Sequence, residues 1–316
     1  MRTARILGMG TSYYHVMSRV VDRRFIFGKL EKEVFRDFMR RQARFAGIEI
    51  LTYVCMSNHF HILMRVPRAE AIDDQELERR LSAIHPPKRA KALIEQIKEH
   101  EQDGNMELAE ELRGRYHARM YNLAAFMKEL KQRFSSWYNR RNQRRGTLWE
   151  ERYKSVLVEG AGHPLLTMAA YIDLNAVRAG IHPEPAQYRF CGYGEALAGN
   201  GQARAGLIEL CRHYGPCSGW AEAADRYRKW LLQPECPTAR PQGEVTGELS
   251  REQVLRIRVR YLSDGAVLGS RRFVDTVFEK YRWRYSSRRR DGARKMKGAD
   301  WGPLYVIRDL RRQVYG

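Results

Sequence analysis

Residues 57–67, SNHFHILMRVP, alternate strictly. His59, His61, Leu63 and Arg65 fall on one side, and Phe60, Ile62, Met64 and Val66 on the other. A period of two is the mark of a half-buried strand. The preceding IEILTYVCM (48–56) reads as another strand. Only Ser57 and Asn58 separate the two runs, so a tight antiparallel hairpin is expected.

The surrounding elements follow by the same reasoning. SYYHVMSRV (12–20) is rich in aromatic and β-branched residues and predicts a first strand. EKEVFRDFMRRQARFAG (31–47) predicts an amphipathic helix with Val34, Phe35, Phe38, Met39 and Phe45 inward and Gly47 at its C-terminal end. YNLAAFMKELKQRFSSWYNRRN (121–142) places Leu123, Phe126, Met127, Leu130, Phe134 and Trp137 at helical spacing. RYKSVLVE (152–159) predicts a fourth strand. HPLLTMAAYIDLNAVRAG (163–180) predicts a last helix, with Pro164 in its first turn and Gly180 past its end. Between the hairpin and the second long helix, residues 68–118 form a helical insertion broken at Pro86-Pro87 and near Gly104.

With the insertion set aside the order is βαββαβ and then a helix. That order predicts an α+β fold of the ferredoxin-like, split βαβ kind, with an antiparallel sheet and an extra helix after it. Such a sheet carries helices on one face and leaves the other open. Phe60, Ile62, Met64 and Val66 are then expected beneath the helices, and His59 and His61 on the open face.

Four regions are expected. Residues 1–67 with 119–183 form the catalytic unit, and 68–118 the insertion. Residues 184–247 form a connector with a helix and a linker whose QPECPTARPQGE (233–244) holds three prolines. Residues 248–316 form a small, basic, α-helical domain of helix-turn-helix type. Val254, Leu255, Val259 and Leu262 mark its first helix, and Ser270 caps its second.

Charge narrows the partner. The 316 residues hold 57 Lys and Arg against 37 Asp and Glu, a net +20. Such an excess draws polyanions. Residues 248–316 carry 18 basic and 8 acidic groups, half of the net charge, and 128–154 carry 9 and 3. The insertion is the opposite: residues 69–111 carry 12 acidic and 6 basic groups, so it is not expected along a phosphate track. No apolar run is long enough to span a membrane, and the five cysteines form no CxxC pair. A cytoplasmic, nucleoid-associated location is expected.

Two imidazoles at i and i+2 of one strand can share a divalent cation through neutral nitrogens, with a third ligand from another element. By itself an HxH is equally a pair of hydrogen-bonded surface histidines. On the last helix Tyr171 and Asn175 stand one turn apart and Arg178 continues their stripe, opposite a buried stripe of Leu165, Ala169, Ile172 and Ala176. A tyrosine phenol beside a cation can attack a phosphodiester, and Asn175 can supply the third ligand. The plain alternative is a tyrosine packed at the sheet edge. His15 and Arg19 alternate on the first strand and could face the same place or sit in the core. Arg140, Arg141, Arg144 and Arg145 are candidate phosphate contacts, or simply a solvated helix end. Trp137, Tyr138 and Trp149 could stack on unpaired bases. Arg152, Lys154 and the basic run Arg288, Arg289 and Arg290 complete the candidate DNA contacts.

Taken in order, YHVMSRVVDRRFIF (14–27), MSNHFHILMRVP (56–67), GTLWEERYKSVLVE (146–159) and YIDLNAVRAGI (171–181) resemble the REP-associated tyrosine transposases. These are relatives of the single-tyrosine insertion-sequence transposases in the HUH endonuclease superfamily. The resemblance covers residues 10–67 and 119–183. It implies a ferredoxin-like enzyme that binds Mg²⁺ or Mn²⁺ through His59, His61 and Asn175. It also implies that Tyr171 nicks single-stranded DNA beside a hairpin, leaving a 5′-phosphotyrosine and a free 3′-hydroxyl, in a monomer or a homodimer. Two other readings stand beside it: a non-catalytic nucleic-acid binder with an RNA-recognition-like fold, and another HUH enzyme such as a replication initiator or relaxase.

Overall fold

A computed structural model describes residues 5–232 and 259–307, apart from 298 and 300. The proline-rich linker and the first part of the predicted first tail helix, with Val254 and Leu255, lie outside the described residues. The protein is α+β, with a mostly antiparallel sheet of seven strands. It divides into two compact units: Met1–Phe25, Ile50–Met64 and Trp149–Gly316 make the first, Ile26–Glu49 and Arg65–Leu148 the second.

The sheet runs in the order β2 (Glu49–Cys55), β3 (His59–Val66), β1 (Ser12–Arg19), β4 (Lys154–Val158). The predicted hairpin is therefore present, with Met56, Ser57 and Asn58 between its strands. β4 lies antiparallel to β1, with Val156 opposite His15. Phe60, Ile62 and Met64 are fully buried. His61 on the other face, expected to be open, is buried too, and His15 lies in the core beside it. That face is not open.

Two things cover it. The first is α6 (His163–Asp173), which packs on β4 and on α9 (Gly201–Arg212) and α10 (Trp220–Leu232). Leu165, Ala169 and Ile172 are buried as expected, but so is every other residue from Pro164 to Asp173. Asp173 is the fastener. Its carboxylate accepts the hydroxyls of Thr52 at 2.9 Å and Tyr227 at 2.6 Å and the Tyr193 N–H at 3.1 Å, joining α6 to β2, α8 (Gly192–Leu197) and α10. The helix then breaks at Leu174, whose N–H reaches the carbonyls of both Ala170 and Ile172, and resumes as α7 (Asn175–Arg178). The single helix predicted over 163–180 is thus two.

The second cover is the tail, and here the all-helical expectation for 248–316 fails. Its described part holds a short helix, Arg260–Asp264, and a longer one, Arg271–Lys280, capped by Ser270 as predicted. It also holds three strands, β5 (Val267–Gly269), β6 (Arg294–Lys295) and β7 (Tyr305–Val306). β5 lies parallel to β4, with Val267 beside Leu157, and β7 and β6 follow it outward. Val267 and Leu268 are fully buried, which a solvated helical module would not provide. Glu159, one residue past β4, accepts the N–H and hydroxyl of Ser270 at 2.6 and 2.9 Å and fastens the next helix.

In the second unit α1 (Lys29–Ala46) packs on α5 (Leu123–Arg141) through Phe27, Phe35 and Phe134. Gly47 ends α1 at φ 63°, a left-handed conformation that favours glycine. Residues 68–118 hold α2 (Asp74–Leu81), α3 (Pro87–Gln102) and α4 (Met106–His117). Arg113 binds Asp74 at 2.9 Å and Glu101 at 2.8 Å, so part of the insertion's acidity is neutralised within it.

Candidate active site

The first unit brings the two strand histidines against a third. His15 Nε2 lies 2.8 Å from His61 Nδ1, with the rings stacked at 5.0 Å between centroids. His15 Nδ1 lies 3.0 Å from the Leu262 carbonyl. His61 is 5% exposed and His15 1%. Burial holds His15 down to about 4, against the pull of the Leu262 carbonyl and with that of Arg178. Burial, helped by His15, His59, Arg178 and Arg19, holds His61 well below the usual imidazole range. Both rings are therefore neutral near pH 7. His59, half-buried, sets its ring 5.2 Å from that of His61 and binds the Asn58 Oδ1 through Nδ1 at 2.7 Å. Asn58 in turn donates from Nδ2 to the Arg23 carbonyl at 2.9 Å.

Tyr171 closes the group from α6. Its ring stands edge-on to His61 at 6.2 Å and to His15 at 6.4 Å and is 2% exposed. The Arg178 guanidinium lies over it, 4.0 Å from the centroid. Burial lowers that guanidinium to about 10, so it is still a cation at neutral pH. His59, His61, Tyr171, Asn175 and Arg178 all line one cavity of about 880 Å³. Arg19, Arg152 and Lys154 line it too, as do Arg23 and Arg260, which the sequence did not single out. Against these six cations stand Glu150, Glu151 and Asp264, so the wall is net positive and suited to a phosphate.

A second cleft of about 560 Å³ shares Glu151, Arg152, Lys154, Ser263 and Asp264 with the first. Its own cations are Arg5, Arg284 and Arg289. Arg5 stacks over the Tyr153 ring at 3.5 Å, and Lys154 pairs with Asp264 at 3.1 Å.

The other predicted contacts fare differently. Trp149 cannot stack on a base: it is 8% exposed, bridges to Val20 and meets Phe60 edge-on at 5.6 Å. It is a core residue. Arg289 donates to the carbonyls of Asp291, Gly292 and Ile307, so it clamps its own loop, while Arg288 and Arg290 are exposed. Arg140, Arg141 and Arg145 are exposed on the second unit and do not line the cavity; Arg144 donates to Asn139 and the Thr147 carbonyl. Tyr138 stacks on Phe134 within that unit.

As to a metal, no three His, Cys, Asp or Glu side chains among the described residues gather closely enough to hold one. The donor set at hand is the imidazoles of His59 and His61 and the Asn175 amide oxygen. That mix of nitrogen and hard oxygen fits a Mg²⁺ or Mn²⁺ ion with places left for phosphate oxygens.

Fold and site together set a buried tyrosine and three histidines against one basic cavity. Residues 9–75 match the sequence model of the family described as Transposase IS200 like, which bears out the resemblance read from the motifs and supports a transposase-like function. No curated protein matches. A solved structure described as "Structure of the REP associates tyrosine transposase bound to a REP hairpin" aligns with a TM-score of 0.42 at 12% identity, over 63% of this chain and 87% of that one. No helix among the described residues is long and apolar enough to cross a membrane.

Proposed function

We propose that the protein is a metal-dependent endonuclease and strand transferase of the HUH single-tyrosine kind, with a ferredoxin-like catalytic core, acting on single-stranded DNA beside a REP-like hairpin. One observation carries this reading: Tyr171, His59, His61, Asn175 and Arg178, from one strand and two helices, line one basic cavity within one compact unit.

Tyr171 Oη attacks the scissile phosphorus. The Oη–P bond forms as the P–O3′ bond breaks, and the phenol proton is balanced by the one gained at the departing 3′ oxygen. The product is a 5′-phosphotyrosine and a free 3′-hydroxyl. Arg178, its guanidinium over the Tyr171 ring, offers a cation beside the nucleophile as negative charge builds on the phosphoryl oxygens and the departing 3′ oxygen. His59, His61 and Asn175 would hold the Mg²⁺ or Mn²⁺ ion, which when bound supplies Lewis acidity to the phosphate. The bond energy stored in the phosphotyrosine lets the 3′-hydroxyl of the same or another strand reverse the step without ATP. Arg5, Arg152 and Arg284 in the adjoining cleft offer a path for the flanking strand.

The test is incubation with single-stranded hairpin DNA, with and without Mn²⁺, followed by a denaturing gel. A protein–DNA adduct is expected only when Mn²⁺ is present. Tyr171→Phe should reduce it to background and leave hairpin binding nearly intact. A passive binder with an RNA-recognition-like fold would give binding and no adduct under any condition.

A further inference from the structure

We propose that His15 is a positioning residue that fixes the proton of His61 on Nδ1, so that Nε2 of His61 is presented as a bare lone pair to the cavity. The inference deepens the reading above and rests on it, because the cation is what that nitrogen would meet.

The derivation starts at the far end. A carbonyl oxygen only accepts, so the 3.0 Å contact of His15 Nδ1 with Leu262 O requires the proton of His15 on Nδ1. His15 is 1% exposed, and the charged groups acting on it and on His61 are the cations Arg178 and Arg19. A second proton on His15 would therefore be a buried cation among cations. With one proton on Nδ1, its Nε2 accepts. The 2.8 Å contact with His61 Nδ1 then requires a proton from His61. A neutral imidazole has one proton only, so Nε2 of His61 keeps its lone pair. The reverse tautomer would oppose two lone pairs at that distance and leave both nitrogens unsatisfied out of water.

This direction matters because a free histidine prefers its proton on Nε2, the wrong nitrogen for a ligand presented this way. The outer partner of a metal-binding imidazole is what decides the question. Here the outer partner is a second imidazole from β1, itself aimed by a carbonyl 247 residues further along the chain. His59 obeys the same rule through a shorter route. Asn58 Nδ2 is spent on the Arg23 carbonyl, which turns Oδ1 toward His59 Nδ1 and puts that proton on Nδ1 as well. Both histidines of the SNHFH run are thus set as the same tautomer, one from its neighbour in sequence and one from the tail.

The experiment is ¹⁵N NMR of histidine-labelled, metal-free protein, with Mn²⁺ binding measured in parallel. The wild type is expected to show His61 protonated at Nδ1 and bare at Nε2. His15→Phe should turn His61 to the Nε2–H form and weaken Mn²⁺ binding about 10–100-fold. His15→Gln, whose amide can accept from His61 and donate to Leu262 O, should restore most of the affinity. Should the Phe variant not fold, the wild-type tautomer decides alone. His61 carrying its proton on Nε2 in the wild type would overturn the proposal. So would a folded Phe variant with unchanged tautomer and affinity. If the wild type takes up no Mn²⁺ the proposed enzymatic reading fails, while the tautomer measurement still answers for His15.

Discussion

Trp149 shows how one side chain can change meaning between sequence and fold. In RRGTLWEERYK it follows Arg144 and Arg145 and looks like a stacking platform, yet it is buried against Phe60. Trp149→Ala should therefore cost about 3–5 kcal/mol of stability, read by chemical denaturation, rather than act on DNA affinity in the folded protein. Arg178 is the reverse case, a half-buried charge that lines the cavity over the Tyr171 ring. Arg178→Ala should lower the rate of adduct formation by roughly 10²–10³-fold, as removal of a preorganised donor to developing charge does, with hairpin binding little altered. Tyr171, Asn175 and Arg178 were legible because helical spacing is local. His15 could be placed only on a strand face, since its meeting with His61 depends on which strands become neighbours.

At the scale of elements, α6 is the piece that holds the nucleophile, and Asp173 holds α6. Burial raises the Asp173 carboxyl to about 6, against the donors of Tyr227, Tyr193 and Thr52. The folded protein thus binds a proton there that the unfolded chain, near 3.9, has released. Stability from this group is greatest below pH 4 and falls by about 3 kcal/mol as pH rises through 6. His15, near 4 when folded and 6.5 when unfolded, has the opposite slope: stability falls as pH drops from 6.5 to 4. Unfolding free energies of wild type and Asp173→Asn should therefore diverge between pH 4 and 6, the wild type losing ground as pH rises. A pH-independent difference would contradict the buried, raised carboxyl. The sequence predicted α6 and its apolar stripe, whereas PLLTMAAYI is apolar nearly all round, the mark of a helix covered on every side, as α9 and α10 cover this one.

For the molecule as a whole, the tail is the part least legible in advance. Its charge was plain, but VLG (267–269) is too short to announce a strand, and Leu262 acts through a backbone carbonyl that no side-chain pattern marks. The consequence is that removing 259–316 should not simply weaken DNA binding. It strips β5, β6 and β7 from the sheet and frees His15, so failure of cooperative folding is expected by circular dichroism. A cleaner probe is Arg5→Gln with Arg284→Gln. If the second cleft carries the flanking strand, binding should weaken and the slope of log affinity against log salt should become shallower by about 1 for each phosphate no longer neutralised. An unchanged slope would confine DNA to the first cavity. The measurement that bears most directly on the whole account is peptide mapping by mass spectrometry of the adduct formed with Mn²⁺ and hairpin DNA. The account predicts a nucleotide linked through phosphate to Tyr171. A nucleotide on Tyr138 instead, or no modified tyrosine at all, would contradict it.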